Sequence, residues 1–97
     1  MTFEKVLEVF SDYLKEDTDV EIVKTQHGWT YMVWDDCQRD WSHSDYAETP
    51  EELSDFILYG LHDYLEMQTT GCERDLTEEE RTEIDATCEK YKHECGS

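Results

Sequence analysis

Basic residues are scarce in this chain, which has eight Lys and Arg against 26 Asp and Glu in 97 residues and a formal net charge of −18. Affinity for nucleic acids comes largely from Lys and Arg on phosphates, and anionic membranes attract the same residues. The shortage of basic residues therefore argues against direct binding of DNA or RNA and against binding of an anionic membrane.

Long apolar runs are also missing. No stretch approaches the roughly 18 consecutive apolar residues that indicate a membrane-spanning helix. The first residues, Met-Thr-Phe-Glu-Lys-Val, lack the basic and apolar segments of a signal peptide. We therefore expect a cytoplasmic protein whose four cysteines are free thiols. In a secreted chain the same cysteines would instead suggest two disulfides.

Enzyme motifs are absent as well. The chain has no nucleophile elbow, zinc-protease helix, phosphate-binding loop or dinucleotide fingerprint. Residues 42–45 read Ser-His-Ser-Asp, the residue types of a hydrolase triad. Neighbours on a strand point to opposite faces, so we expect no catalytic relay there. The sequence thus indicates a non-enzymatic protein without catalytic residues or a cofactor.

A metal site receives little support. Three thiols and an imidazole lie in the last quarter of the chain, at Cys72, Cys88, His93 and Cys95. Their spacing lacks the Cys-x-x-Cys pairs of most zinc modules, and Cys88 fits a core position on a helix. We expect no metal, and a zinc-stapled structural domain remains the minor alternative.

Regular hydrophobic patterns are present in the first half of the chain. Apolar residues at i, i+3, i+4 and i+7 predict an amphipathic helix over residues 2–16. Strands are predicted over residues 20–25, 29–34 and about 40–47, and Gly28 can take a positive φ in the first turn. The second strand carries bulky residues on both faces, which is typical of a central strand.

Two capping boxes predict helices in the second half. Thr49-Pro50-Glu51-Glu52 starts a helix that runs to about Thr69, in which Gly60 is expected to allow close backbone approach. Thr77 to Glu80 starts a last helix that runs to about Glu94. The predicted order is α-β-β-β-α-α, a single α+β domain over residues 1–97 with a three-stranded antiparallel sheet.

Aromatic residues concentrate on the predicted strands. A binding platform is one use for such a group, because interface anchors are often aromatic. In a small sheet the core is the commoner destination, and we favour it for most of these residues. The group consists of Trp29, Tyr31, Trp34, Trp41 and Tyr46.

The acidic residues are unevenly distributed. Residues 48–71 contain six of them and no Lys or Arg. A solvated face, including adaptation to high salt, is one explanation. The other is imitation of nucleic-acid phosphates, since duplex DNA carries one charge per roughly 1.7 Å of helix axis. On this second explanation we expect the partner-binding residues to be Asp35, Asp36, Asp40, Glu48, Asp63, Glu66, Glu73 and Asp75.

In charge and in element order over about residues 2–94, the chain resembles small acidic phage anti-CRISPR proteins, which inhibit type II-A RNA-guided nucleases as DNA mimics. The resemblance implies a CRISPR-associated nuclease with its guide RNA as the partner, in the host cytoplasm. It also implies that acidic residues occupy the nuclease's site for the duplex motif beside its target. The corresponding positions here are Asp35, Asp36, Asp40, Glu66, Glu73 and Asp75.

The chain differs from that family in its Cys and Trp content and in lacking a Gly-rich tip at the strand turn. The alternative is an acidic interaction module whose basic partner is another protein. Such partners include a different DNA-processing enzyme, for example a DNA glycosylase, or a toxin. Inhibitors of uracil-DNA glycosylase are small acidic proteins with similar logic.

Overall fold

A computed structural model describes residues 1–96. Its elements are α1 (Phe3–Val9), α2 (Ser11–Glu16), β1 (Val20–Thr25), β2 (Gly28–Asp35), β3 (Asp40–Ala47), α3 (Pro50–Thr70) and α4 (Glu78–Gly96). This order confirms the α+β fold, except that the first helical stretch is divided in two. Within residues 1–96, no helix combines the length and apolar character needed to cross a membrane.

The helix predicted over residues 2–16 is interrupted at Phe10, whose backbone lies at φ −92° and ψ 5°. Helical hydrogen bonding still passes through this residue, because its N–H donates to Val6 O (3.1 Å) and its carbonyl accepts from Leu14 N (2.9 Å). The Phe10 side chain is fully buried and stacks on Tyr91 of α4, with 5.2 Å between ring centroids. The bend therefore coincides with insertion of this ring into the core.

β2 is the central strand of a three-stranded antiparallel sheet ordered β1-β2-β3, as its two bulky faces predicted. Gly28 starts β2 with φ +129°, which confirms the predicted positive φ in the first turn. A β-bulge interrupts the pairing of β2 with β3. Val33 pairs with His43 and Trp34 pairs with Trp41, so Ser42 is the extra residue.

The sheet and the helices form two layers, with the core between them. Aromatic contacts join Phe3 of α1 to Trp29 and Phe56 of α3 to Tyr31, so both helices lie on the same face of the sheet. The fully buried side chains are Val6, Phe10, Leu53, Ile57 and Cys95. All four cysteines lie within residues 1–96 and are free thiols.

α3 begins at the predicted cap and ends at the predicted glycine. The Thr49 hydroxyl accepts from Glu52 N (3.2 Å), and Pro50 occupies the first turn. Gly71 adopts the left-handed conformation at φ 63° and caps the C-terminus. Gly60 differs from the expectation, because the atoms packed against it are side-chain hydroxyls of Tyr31 and Tyr13 rather than backbone.

α4 begins with a complete capping box. Glu80 N donates to Thr77 Oγ1 (3.2 Å), and Thr77 N donates to Glu80 Oε1 (3.0 Å). Arg74 binds the same carboxylate with nitrogen–oxygen distances of 2.7 and 2.8 Å. The hydrogen bond from Arg74, followed by those from Thr77, lowers the pKa of Glu80 to about 2. The start of α4 is thereby tied to the loop that follows α3.

Replacing Thr77 with alanine should lower the free energy of unfolding by about 1 kcal/mol, because two backbone N–H groups lose or loosen their partners. Thr82→Ala is the matched control: the Thr82 hydroxyl donates to Glu78 O (2.9 Å) inside the helix, where alanine is a better helix former. Urea unfolding followed by circular dichroism measures both variants. Equal stabilities for the two variants would contradict a capping role for Thr77.

Candidate partner-binding site

An open groove of about 320 Å³ lies between the helix-facing side of the sheet and the second half of α3. β2 contributes Tyr31 and Val33, and α3 contributes Tyr59, Gly60 and Asp63. The loop between α2 and β1 adds two further carboxylates at one wall. Among residues 1–96, those that line the groove include no Lys or Arg. The groove therefore combines apolar walls with an uncompensated negative charge.

Asp17 is the best-fixed carboxylate of the groove. Its Oδ2 accepts from the Tyr13 hydroxyl (2.7 Å) and its Oδ1 from Asp19 N (3.2 Å). Burial, reinforced by the hydrogen bond to Asp17, raises the pKa of Tyr13 far above its ordinary value. Tyr13 therefore stays protonated and keeps donating to Asp17, which holds the carboxylate at the wall of the groove.

Tyr31 brings a hydroxyl to the groove floor from a side chain that is only 3% exposed. The hydroxyl packs against Gly60, where the absence of a β-carbon leaves room for it. Desolvation, followed by the charges of Asp17 and Asp63, raises the pKa of Tyr31 to about 12. The carboxylates of Asp17 in the α2–β1 loop and of Asp63 on α3 are therefore both close enough to make the electrostatic potential at the Tyr31 hydroxyl negative.

The turn between β2 and β3 presents three of the predicted acidic residues in two different ways. Asp35 Oδ1 accepts from the backbone N–H groups of Cys37 (3.0 Å) and Gln38 (3.2 Å), so it shapes the turn. Asp40 Oδ1 accepts from Trp41 N (2.8 Å). Both carboxylates are thus partly engaged by the backbone, and each keeps its second oxygen for other partners.

Asp36 is the most freely presented acid of this turn. Its contacts are the Trp34 indole N–H, which donates to Oδ1 (3.4 Å), and an ion pair with Arg39 at 3.7 Å. Asp36 and Arg39 are both largely exposed, so their attraction is weak and easily exchanged. Trp34 also lines the groove, and Asp36 therefore lies beside its rim.

Asp63 and Glu66 lie three residues apart on α3 but have different surroundings. His62 contacts Glu66 through Nδ1 (3.4 Å) and Asp85 of α4 through Nε2 (3.4 Å), so Glu66 belongs to a contact between α3 and α4. The carboxylate of Asp63 makes neither a hydrogen bond nor an ion pair within residues 1–96. Asp63 therefore remains available at the groove.

Glu73 and Asp75 are exposed in the loop between α3 and α4. The cation between them, Arg74, is directed to Glu80 and leaves both carboxylates without a close basic neighbour. The loop begins beside the groove, since Cys72 Sγ lies 3.2 Å from Sδ of Met67, a lining residue. These two acids therefore extend the acidic surface past the end of α3.

Glu48 is separated from the other predicted residues. It follows Ala47, which pairs with Trp29 near the turn between β1 and β2. The Asp35–Asp40 pair lies at the opposite end of β3, an eight-residue strand that spans roughly 25 Å. Glu48 therefore lies at the other end of the sheet from the acids of the β2–β3 turn.

The Ser-His-Ser-Asp segment departs from expectation, because the bulge at Ser42 brings side chains together that strand alternation would separate. Ser42 Oγ lies 3.3 Å from His43 Nδ1, and His43 Nε2 lies 3.6 Å from Asp45 Oδ2. The Ser42 hydroxyl also donates to Val33 O (3.2 Å). With its one proton engaged there, the hydroxyl acts as an acceptor toward His43, the reverse of an activated nucleophile.

The cysteines that the minor alternative, a zinc-stapled domain, would use lie in different surroundings. Cys72 is exposed in the α3–α4 loop, whereas Cys95 is buried at the end of α4. In residues 1–96, the residues of metal-binding type that cluster are instead His62, Asp63 and Glu66. This cluster is explained by the contacts of His62 with Glu66 and Asp85 and by the helical spacing of the three residues.

The aromatic group is divided between core and surface. Tyr31 is buried, and Trp29 packs against the core from a partly buried position. Trp34 and Trp41 meet edge to face at 5.1 Å, and Trp41 and Tyr46 are exposed. The most exposed aromatic residue at the groove is Tyr59, at 71%, which lies on α3 outside the strands.

Three groove residues escaped the sequence analysis: Asp17, Asp19 and Tyr59. A local signal for the first two does exist, as paired acids in a short loop that breaks the helical pattern. Their position opposite α3 depends on tertiary packing, which no spacing in the sequence reveals.

Comparisons with protein-family models, curated proteins and solved structures give no match for this chain. The geometry and charge of the groove and its surroundings are therefore the basis for inferring function.

Proposed function

We propose that this protein is a non-enzymatic inhibitor that mimics DNA and occupies the duplex-binding groove of a CRISPR-associated nuclease in the host cytoplasm. One observation carries the proposal: carboxylates from the α2–β1 loop and from α3 line one groove whose lining residues within residues 1–96 include no Lys or Arg. Asp36 of the β2–β3 turn accepts a hydrogen bond from Trp34, which also lines this groove. Such an arrangement suits a surface of Arg and Lys that normally contacts phosphates.

The fixed positions of the carboxylates support mimicry over simple attraction. Asp17 is held by Tyr13 and Asp35 by the backbone of its turn, while Asp63 projects from a 21-residue helix capped at both ends. Preorganised charges form ion pairs with a smaller loss of side-chain freedom than a flexible acidic tail would require. The excess charge of the whole chain would also steer the protein to a basic partner at long range.

Competition with DNA tests the proposal directly. A type II-A nuclease loaded with guide RNA is mixed with the protein and with labelled duplex carrying the target and its adjacent motif. We expect the protein and the duplex to exclude one another, and cleavage to be inhibited only when the protein is added before the duplex. Simultaneous binding of protein and duplex would contradict mimicry of DNA.

Salt should weaken this complex strongly. Raising the salt from about 50 to 200 mM should lower affinity at least about tenfold, mainly through slower association, because long-range attraction is screened. Biolayer interferometry at several salt concentrations provides the rates. An association rate independent of salt would rule out electrostatic steering.

The alternative partner is another basic protein, such as a DNA glycosylase or a toxin. Binding to a DNA glycosylase in competition with DNA, with no binding to any guide-loaded nuclease, would favour this alternative. The acidic groove would then occupy the DNA-binding surface of a different target protein.

A further inference from the structure

We propose that the groove between the sheet and α3 is a receptor for one arginine side chain of the partner, with the guanidinium bound by Asp63 and the α2–β1 loop. This inference rests on the proposed function in that it names how the basic partner is recognised. The observations that carry it are the size of the groove, its chemistry and the hydroxyl of a buried tyrosine that opens into the groove without a hydrogen-bond partner.

The size of the groove suits a single side chain of the partner. Ligand pockets commonly measure about 300–1,000 Å³, and this groove, at about 320 Å³, lies at the lower limit. A nucleotide or a helix of the partner would contact it only in part. A long flexible side chain could enter fully, while the exposed ring of Tyr59 covers its stem at the rim.

The residues that line the groove favour a cationic side chain with an apolar stem. Val33 and the rings of Tyr31 and Tyr64 provide apolar surface, and Asp17, Asp19 and Asp63 provide negative charge. Long basic side chains bury their methylene groups against such surfaces and keep the charged end on acceptors. An anionic or neutral ligand would leave these carboxylates without compensation.

The arrangement of acceptors favours arginine over lysine. The carboxylates approach from two sides, with Asp17 and Asp19 in the loop and Asp63 on the helix. A planar guanidinium offers five N–H donors in a fixed fork and stacks on aromatic rings, whereas an ammonium is a compact and strongly hydrated point charge. Several separated acceptors beside tyrosine rings therefore match a guanidinium better than an ammonium group.

The hydroxyl of Tyr31 is an independent indication of a ligand. Tyr31 is only 3% exposed, yet its hydroxyl makes no hydrogen bond within residues 1–96. Every side-chain oxygen sealed from solvent in residues 1–96 has a partner, so this oxygen must open into the groove that Tyr31 lines. A hydroxyl that opens into the groove from a buried ring is held in place by the packing of that ring, and it is available there to accept a hydrogen bond from a guanidinium N–H.

A small probe tests the inference without any nuclease. The full chain, labelled with nitrogen-15, is titrated with N-acetyl-arginine amide, with the lysine amide, and with the citrulline amide, which keeps the shape of arginine but is neutral. We expect saturable shifts at the Gly60 and Tyr31 amides with the arginine probe, and a dissociation constant on the order of a few millimolar. The lysine probe should bind at least about threefold more weakly, and the citrulline probe should produce no saturation.

Matched variants complete the test. Asp63→Asn should weaken binding of the arginine probe at least about fivefold, whereas Asp55→Asn, an exposed acid on the same helix outside the groove, should change it less than about twofold. Tyr31→Phe should weaken binding less than Asp63→Asn does. Equal binding of citrulline, equal binding of lysine, or no saturation with arginine would each overturn the inference.

The results separate this inference from the proposed function. If the arginine probe binds but no guide-loaded nuclease is inhibited, the groove is still an arginine receptor and the proposed function fails. If a nuclease is inhibited in competition with DNA while the probe does not bind, the proposed function stands and the groove has no role as an arginine receptor.

Discussion

Lysine at both Asp36 and Asp63 is expected to weaken binding to the nuclease by about 100-fold or more, because two attractive contacts with the basic partner become repulsive. Asp36 is exposed beside the rim, with a weak pairing to Arg39, and Asp63 has no partner within residues 1–96. Neither carboxylate supports the core, so the double variant should retain the fold.

A control with the same change in net charge makes this result interpretable. Asp55→Lys combined with Glu89→Lys changes two exposed helical acids that lie outside the groove. This pair should reduce affinity less than about tenfold, through weaker long-range attraction alone. Affinity is measured by interferometry with guide-loaded nuclease, and thermal unfolding verifies the fold. Equal losses for the two variants would show that total charge matters and that the groove does not.

Asp35 would be a poorer choice for such a test. Two backbone N–H groups of its turn donate to the Asp35 carboxylate, so removing it changes the shape of the turn as well as its charge. A loss of binding in that variant would have two explanations. Asp36 separates charge from turn geometry and is the sharper probe of the same region.

Local signals predicted most of the elements. The caps at Thr49 and Thr77 are formed by side chains that bond the backbone three residues ahead, so the sequence contains both partners. The bulky residues on both faces of β2 identified the central strand, because that pattern is also contained within one short segment of the sequence. The bend at Phe10 was missed because its determinant is long-range: the ring enters the core against Tyr91, far along the chain.

The candidate site was only partly accessible from the sequence. Charge identified Asp63, but spacing could not show that it shares a groove with Asp17 and Asp19, or that Glu48 lies at the other end of the sheet from Asp35 and Asp40. The approach of the α2–β1 loop to α3 is fixed by the packing of two elements distant in sequence. Strand alternation likewise failed at Ser42, where one extra residue in β3 reversed the expected direction of a side chain.

The groove floor allows a test of its geometry through the stability of the protein. A methyl group at Gly60 would overlap the Tyr31 hydroxyl and would lie 3.1 Å from that of Tyr13. Gly60→Ala should therefore lower the free energy of unfolding by up to about 2 kcal/mol, since an overpacking cost of about 1–3 kcal/mol is offset by a gain of about 1 kcal/mol from better helix propensity. Tyr31 cannot easily retreat, because its ring is buried between the sheet and Phe56.

Removing the Tyr31 hydroxyl should abolish most of this effect. Tyr31→Phe alone is expected to change stability by less than about 1 kcal/mol, because the hydroxyl makes no hydrogen bond within residues 1–96. In that background the Tyr13 hydroxyl, 3.1 Å from the new methyl, becomes its nearest neighbour, and a small shift of that hydroxyl offsets part of the gain in helix propensity. Gly60→Ala should then change stability by less than about 1 kcal/mol. Urea unfolding of the four proteins should give a coupling energy of about 1–3 kcal/mol, the overpacking cost that the Tyr31 hydroxyl imposes. If alanine at Gly60 had the same effect in both backgrounds, the hydroxyl would not lie at the floor, and the groove could not offer it to an incoming guanidinium.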